Sequence, residues 1–172
     1  MKTEDAYRPA VTSRPESGGP DAYREAIARL PTGVAVITAS GAEGPVGCTV
    51  NAVMSLSLDP PSLLVSFGTG SRTLARVTEA GRFAVNVLSW EDRRLARQFA
   101  TGTAAQRFAG VPWAPVLGVP VLSGAVVGLV CDVSETIPAL DHTLVVGRVR
   151  TTTGVDAEPT VLFGHGQYAL RG

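Results

Sequence analysis

The sequence predicts a β-dominated domain in which antiparallel strands close, or nearly close, into a barrel trimmed by short helices. Three observations carry that prediction. Short apolar runs recur along the chain, punctuated by Gly, Pro and Asp clusters. Stretches with helical spacing are too few and too short to alternate with every strand, which argues against a doubly wound parallel sheet. No GxGxxG occurs, so the dinucleotide fingerprint of such sheets is missing.

Residues 1–19 mix Pro, Ser, Gly and charge without periodicity. They read as a disordered or loosely draped tail, which leaves 20–172 as a single domain. From Pro20, the residues Tyr23, Ala26, Ile27 and Leu30 share one face of a short helix that Pro31-Thr32-Gly33 stops. Val34–Ala39 and Val46–Ser55 read as strands of a hairpin. Asp59-Pro60-Pro61 breaks the ladder, because consecutive prolines donate no hydrogen bonds. Leu63–Phe67 is the next strand, and Gly68-Thr69-Gly70 a turn. Ser71 then caps a brief helix with Leu74 and Val77 on one side. Arg82–Leu88 is again a strand. Ser89 with Asp92 resembles a capping box opening a helix whose Leu95, Ala96 and Phe99 share a face.

Thr101–Ser123, rich in proline and glycine, reads as a long surface loop with one helical turn. Two long strands follow. One alternates Val127, Leu129, Cys131 and Val133, and the other runs from His142 to Thr152. Their middles are apolar on both faces, as in strands with a second covering layer. Val161–Phe163 and Gln167–Leu170 close the chain, for about seven strands and two or three helices.

Charge and composition exclude several classes of function. Fifteen basic residues balance fifteen acidic ones, which gives no electrostatic case for nucleic acid or an anionic membrane surface. An apolar fraction of 45% suffices for a core without metals or disulfides. Cys48 and Cys131 form no CxxC pair and read as small buried thiols. No run reaches the length of a membrane span and the N-terminus lacks a signal-peptide pattern, so the expected location is cytoplasmic. Acid pairs, Ser/His/Asp ordering and histidines at metal spacing are all missing, so hydrolase and metalloenzyme readings are weak.

The chemistry concentrates between Gly47 and Thr73. A bound phosphate calls for short hydroxyls, N–H groups at a helix terminus and a guanidinium, and Ser71, Arg72 and Thr73 supply all three. The alternative is that Ser71 only caps a helix while Arg72 faces water. Asn51, within an apolar run, needs partners if buried, and a flat heterocycle with carbonyl and N–H edges would provide them. His142 opens a strand directly after Asp141, at a loop edge where an imidazole can reach a ligand or serve structure alone. His165, between two glycines, reads equally as a surface residue.

Several of these segments together resemble the flavin reductase-like family of FMN-binding split barrels. They are Pro31-Thr32-Gly33-Val34-Ala35-Val36-Ile37-Thr38, Gly47-Cys48-Thr49-Val50-Asn51-Ala52 and Ser55-Leu56-Ser57-Leu58-Asp59-Pro60-Pro61. The set continues with Ser71-Arg72-Thr73, Gly81-Arg82-Phe83-Ala84-Val85-Asn86-Val87-Leu88, Phe99-Ala100, Asp141-His142-Thr143-Leu144 with Gly147, and Tyr168. Order and spacing hold from about residue 23 to residue 170.

The resemblance implies a homodimer of six-stranded Greek-key barrels with flavin near the subunit interface. It implies an enzyme that oxidises NADH or NADPH, reduces FMN or FAD, and releases reduced flavin to a separate monooxygenase component. The alternative is an electron carrier of the same fold that keeps its flavin. By the same resemblance Thr49, Val50, Asn51 and Ala52 with Ser55, Leu56 and Ser57 line the flavin, and Ser71, Arg72 and Thr73 hold its phosphate. His142 sits on the nicotinamide side as the catalytic candidate, with Asn86 and Tyr168 as neighbours. One position departs from the family pattern: Leu140 stands where glycine ordinarily precedes the Asp-His pair. Leucine takes a positive φ only at a cost, so the loop before His142 is expected to have a different shape.

Overall fold

Residues 19–163 and 166–169 are described by the computed structural model. Apart from Gly19 the expected tail lies outside them, as do His165 and Leu170. In chain order the elements are α1 (Pro20–Ile27), β1 (Thr32–Gly33), β2 (Ala35–Gly41), β3 (Gly44–Val50), β4 (Val53–Leu58), β5 (Pro61–Gly68), α2 (Arg72–Ala80) and β6 (Arg82–Leu88). There follow α3 (Leu95–Ala100), α4 (Ala104–Phe108), β7 (Trp113–Val116), β8 (Val119–Leu122), β9 (Ala125–Ala139), β10 (His142–Gly154), β11 (Thr160–Phe163) and β12 (Gly166–Ala169).

Period-two alternation sets the main sheet. Its seven strands run in the order β3-β2-β6-β9-β10-β5-β4, every neighbouring pair antiparallel. The outer strands of that order, β3 and β4, are joined by Asn51-Ala52. The Ser66 amide donates to the Ala52 carbonyl at 3.0 Å, so the sheet curls until its two ends meet at this corner. Inside lie Ile37, Val65, Phe83, Val85, Cys131 and Val145, with Leu74 and Val77 of α2 plugging the opening. Side chains of this size, fully withdrawn from water, contribute about 1.5–3 kcal/mol each.

Strands buried on both faces need an outer layer, and the expected one is present. Val34 and Val36 pack outward against Leu95, Phe99 and Leu122, while Ala84 and Val130 pack under Val119 and Val121. The resulting architecture is the β-dominated split barrel with short flanking helices that the sequence implies.

Three expectations change. Val46–Ser55 is not one strand: it breaks at Asn51-Ala52, where the chain turns from one sheet edge to the other. This is why the sheet has seven strands where the resemblance implies six. Thr101–Ser123 is not a surface loop. It holds α4 and the β7–β8 hairpin, and every residue of β8 is buried against the barrel wall. Pro115 and Pro120 are tolerated because a two-stranded ribbon asks for ladder bonds on one edge only. The third change is at Ser89. Its hydroxyl accepts from the Asp92 amide at 3.2 Å, yet α3 begins only at Leu95. The capping box belongs instead to α4, where Thr103 and Gln106 exchange both bonds.

Leu140 corrects a fourth. It takes the positive φ after all, at 57°, because Ala139 and His142 are directly paired and the two-residue turn between them demands it. Leu140 therefore reproduces the turn that glycine would make, with its side chain fully in solvent.

Candidate functional site

One end of the barrel gathers the last residues of β3 and β5 with the first residues of α2 and β10. Ser71 caps α2 from an extended conformation, its hydroxyl accepting from the Leu74 amide at 3.3 Å. No acidic residue occupies the first turn, so the positive end of the helix dipole is uncompensated. The amides of Arg72 and Thr73 have no intrahelical partner by helix geometry, which makes the terminus an anion site in waiting. Cys48, on β3, lies beneath it. Burial pushes its thiol above the ordinary range, against the opposing pull of the Thr73 hydroxyl, Arg107 and the Ser71 hydroxyl. It is therefore a packed thiol and not a thiolate nucleophile.

Beside the helix mouth opens a groove of about 440 Å³ whose wall includes Glu43, Gly47, Arg72, Thr73, Arg76 and Arg107. Three guanidiniums face one carboxylate there. Arg107 is held in place, donating through Nε to the Thr101 carbonyl at 3.1 Å and through Nη1 to the Gly47 carbonyl at 2.7 Å. Arg72 is exposed and reaches the Gly102 carbonyl at 3.4 Å. Arg76 pairs with Glu79 one turn on. Gly47 lets β3 pack closely under α3: a Cβ there would come 2.9 Å from the Ile37 carbonyl and 3.1 Å from the Phe99 ring.

His142 opens β10, paired in register with Gly68 three residues before the Ser71 cap. The Ser71 amide donates to the Gly68 carbonyl at 2.9 Å and the Thr69 amide to the Asp141 carbonyl at 3.0 Å, so the turn ties the histidine to the cap. His142 Nδ1 lies 2.8 Å from Asp141 Oδ1. A carboxylate only accepts, so Nδ1 carries the proton and Nε2 is left for a ligand. The same bond holds the Asp141 carboxyl below its ordinary range.

The structure thus brings together Thr49, Val50, Asn51, Ala52, Ser71, Arg72, Thr73 and His142 at one end. Their roles are unequal. Thr49 gives its hydroxyl to the Ala96 carbonyl of α3 at 2.6 Å, and Val50 packs toward the core. Asn51 and Ala52 are exposed at the corner, so Asn51 has no burial to offset. Thr73 is buried, its hydroxyl on Cys48, and it adds backbone to the groove wall.

Ser55, Leu56 and Ser57 lie along the edge strand β4, which runs away from this end, and the Ser57 hydroxyl is engaged by the Asp59 backbone. Asn86 is not brought to the site. It is fully buried, its amide nitrogen donating to the Val36 carbonyl and Thr38 hydroxyl and its oxygen accepting from the Leu122 amide. That strand-linking role meets the demand for partners internally. Tyr168 falls on β12, and its side chain lies outside the described residues.

Gly47, Arg76 and Arg107 are site residues that sequence reasoning missed. Arg107 had a signal in the Thr103–Gln106 capping box, which opens the helix that carries it.

A split barrel whose mouth offers a capped, uncompensated helix end beside a cationic groove has the chemistry to receive an anionic ligand. The sequence matches the flavin reductase like domain over residues 27–170, and the chain belongs to that family. The NADH-dependent FMN reductase AsuE2 of Streptomyces nodosus subsp. asukaensis is 36% identical to it, across 96% of this chain and 94% of that one. The solved flavin reductase of styrene monooxygenase from Pseudomonas putida S12 superposes with a TM-score of 0.79 at 31% identity, covering 87% of this chain and 97% of that one. A Rhizobium meliloti protein named "Probable flavin reductase" is 42% identical over 76% of this chain. The chain spans 42% of that relative's length and 57% of a second one from the same organism.

Proposed function

We propose that this chain is an NAD(P)H-dependent flavin reductase that reduces FMN or FAD, passes the reduced flavin to a separate monooxygenase component, and works as a homodimer. The observation that carries this reading is the convergence, at one barrel end, of the Ser71 cap, the Arg72 guanidinium and the Asp141–His142 pair. Family membership and the full-length likeness to AsuE2 support the activity. The likeness to a reductase that serves styrene monooxygenase supports the partner class.

Bound flavin supplies the redox chemistry, accepting hydride from the reduced nicotinamide. The chain's own residues bind and orient. The α2 terminus and Arg72 receive the flavin phosphate through amide N–H groups and a bidentate guanidinium. Asn51 at the corner offers its amide to the polar edge of the ring system. His142, its tautomer fixed by Asp141, presents Nε2 on the nicotinamide side and holds the two ring systems in register.

Homodimerisation is supported by the edge strand. Met54, Leu56 and Leu58 of β4 are 54%, 47% and 89% exposed, an apolar row on a strand paired along one edge only, which calls for a cover. A second copy against it would also bring Ser55–Ser57 to a flavin.

The test is steady-state NADH and NADPH oxidation with supplied riboflavin, FMN and FAD. His142→Ala is expected to lower turnover while flavin affinity holds. Arg72→Ala is expected to weaken FMN by about tenfold, the worth of a charge-assisted contact, and to leave riboflavin unchanged. Wild-type protein that oxidises neither nicotinamide with any flavin would refute the reading.

A further inference from the structure

One phosphate needs one bidentate guanidinium and a helix end, and Arg72 with α2 supplies both. The groove holds two more guanidiniums. Arg76 lies on α2 at i+4 from Arg72, about one helical turn along the same face. Arg107 arrives from α4, pinned between the Thr101 and Gly47 carbonyls before any ligand enters. The volume of about 440 Å³ lies within the range of roughly 300–1,000 Å³ that takes a small organic molecule, well beyond what a lone phosphate fills.

Position says which molecule. His142 is paired with Gly68, three residues before the Ser71 cap, while the groove is walled by the next residues of the chain, Arg72, Thr73 and Arg76, with Arg107 of α4. A ligand with its ring near Asn51 and His142 and its first phosphate at Ser71–Arg72 therefore continues into this groove. We propose that the groove receives the adenylate half of FAD, with Arg76 and Arg107 on the second phosphate, so that the chain prefers FAD to FMN. This rests on the flavin-phosphate reading of Ser71–Thr73.

The charges around the groove agree. Glu43, in the turn between β2 and β3, is the one carboxylate among the described residues of the lining against three guanidiniums, so the groove favours an anionic ligand. Glu79 already neutralises part of Arg76, which leaves Arg107 as the stronger contact.

Equilibrium binding of riboflavin, FMN and FAD, followed by flavin fluorescence, tests the proposal. Wild-type protein is expected to bind FAD about tenfold more tightly than FMN at low salt, with the margin narrowing as salt rises. Arg107→Gln and Arg76→Gln are expected to erase that margin while FMN stays within about twofold of wild type. Arg76→Gln disturbs only the surface pair with Glu79, so it carries the test if Arg107→Gln unfolds. Equal FAD and FMN affinities in the wild type, or equal losses of both in the variants, would overturn the proposal. So would a raised KM for NADPH with FAD affinity unchanged, which would assign the groove to the nicotinamide nucleotide. Riboflavin binding as tightly as FMN sinks the phosphate reading itself. FMN tighter than riboflavin with FAD no better than FMN sinks only this inference.

Discussion

Leu140 holds φ at 57° with its side chain entirely in solvent, so it carries the cost of a left-handed conformation with no packing in return. Leu140→Gly is expected to stabilise the protein by about 1 kcal/mol, the relief of that strain less the extra entropy glycine loses on folding. Thermal unfolding should show this as a rise of about 2–4 °C, and a fall would mean that the leucine side chain has a contact in solution. The position also shows what a residue pattern can and cannot disclose. That Asp141-His142 opens a strand was legible, because His142 begins an apolar run. That the turn keeps its shape despite leucine was not, since the pairing of Ala139 with His142 overrides local preference. Asn86 teaches the converse. A polar residue inside an apolar strand signals a need for partners, and here the partners are strands β2 and β8 and not a ligand.

Among the elements, those marked by apolar runs between turn residues, or by helical spacing, were legible: β2, β5, β6, α2, β9 and β10 all fall close to where these signals place them. The β7–β8 hairpin was not. Its turn is Leu117-Gly118, both residues at positive φ, and leucine gives no hint of a turn that usually takes Asn-Gly. Its prolines further disguise the strands. Helix α4 supplies the one helical turn expected in Thr101–Ser123, and its position is marked by a complete capping box. That short helix matters because it delivers Arg107 to the Gly47 carbonyl. Thr103→Ala removes the acceptor for the Gln106 amide and is expected to cost about 1 kcal/mol, concentrated in this segment. Hydrogen exchange should show the amides of Gln106 and Arg107 losing protection while those of β9 and β10 keep theirs. Uniform loss across the barrel would contradict a local role.

At the scale of the whole molecule, the sheet curls shut at the Asn51-Ala52 corner but leaves β4 as an edge with an apolar row. Its outward leucines and methionine were visible in the sequence as strand residues. Their exposure was not, because periodicity cannot say which face a second molecule covers. In a single copy, Ser55–Ser57 lie along a strand that leaves the phosphate end. In the proposed homodimer, the contact that covers this edge would also bring Ser55–Ser57 to the flavin. Placing charge in the row, as in Leu58→Asp with Met54→Asp, is expected to give monomers by sedimentation or light scattering, since a desolvated carboxylate without a partner is strongly disfavoured in an apolar contact. Neither residue belongs to the α2 terminus or the arginine groove, so far-ultraviolet circular dichroism should be unchanged. Flavin affinity should fall together with the dimer. A variant that is monomeric and still binds FMN at wild-type strength would separate the two, and would confine the flavin to the residues that one barrel gathers at its own mouth.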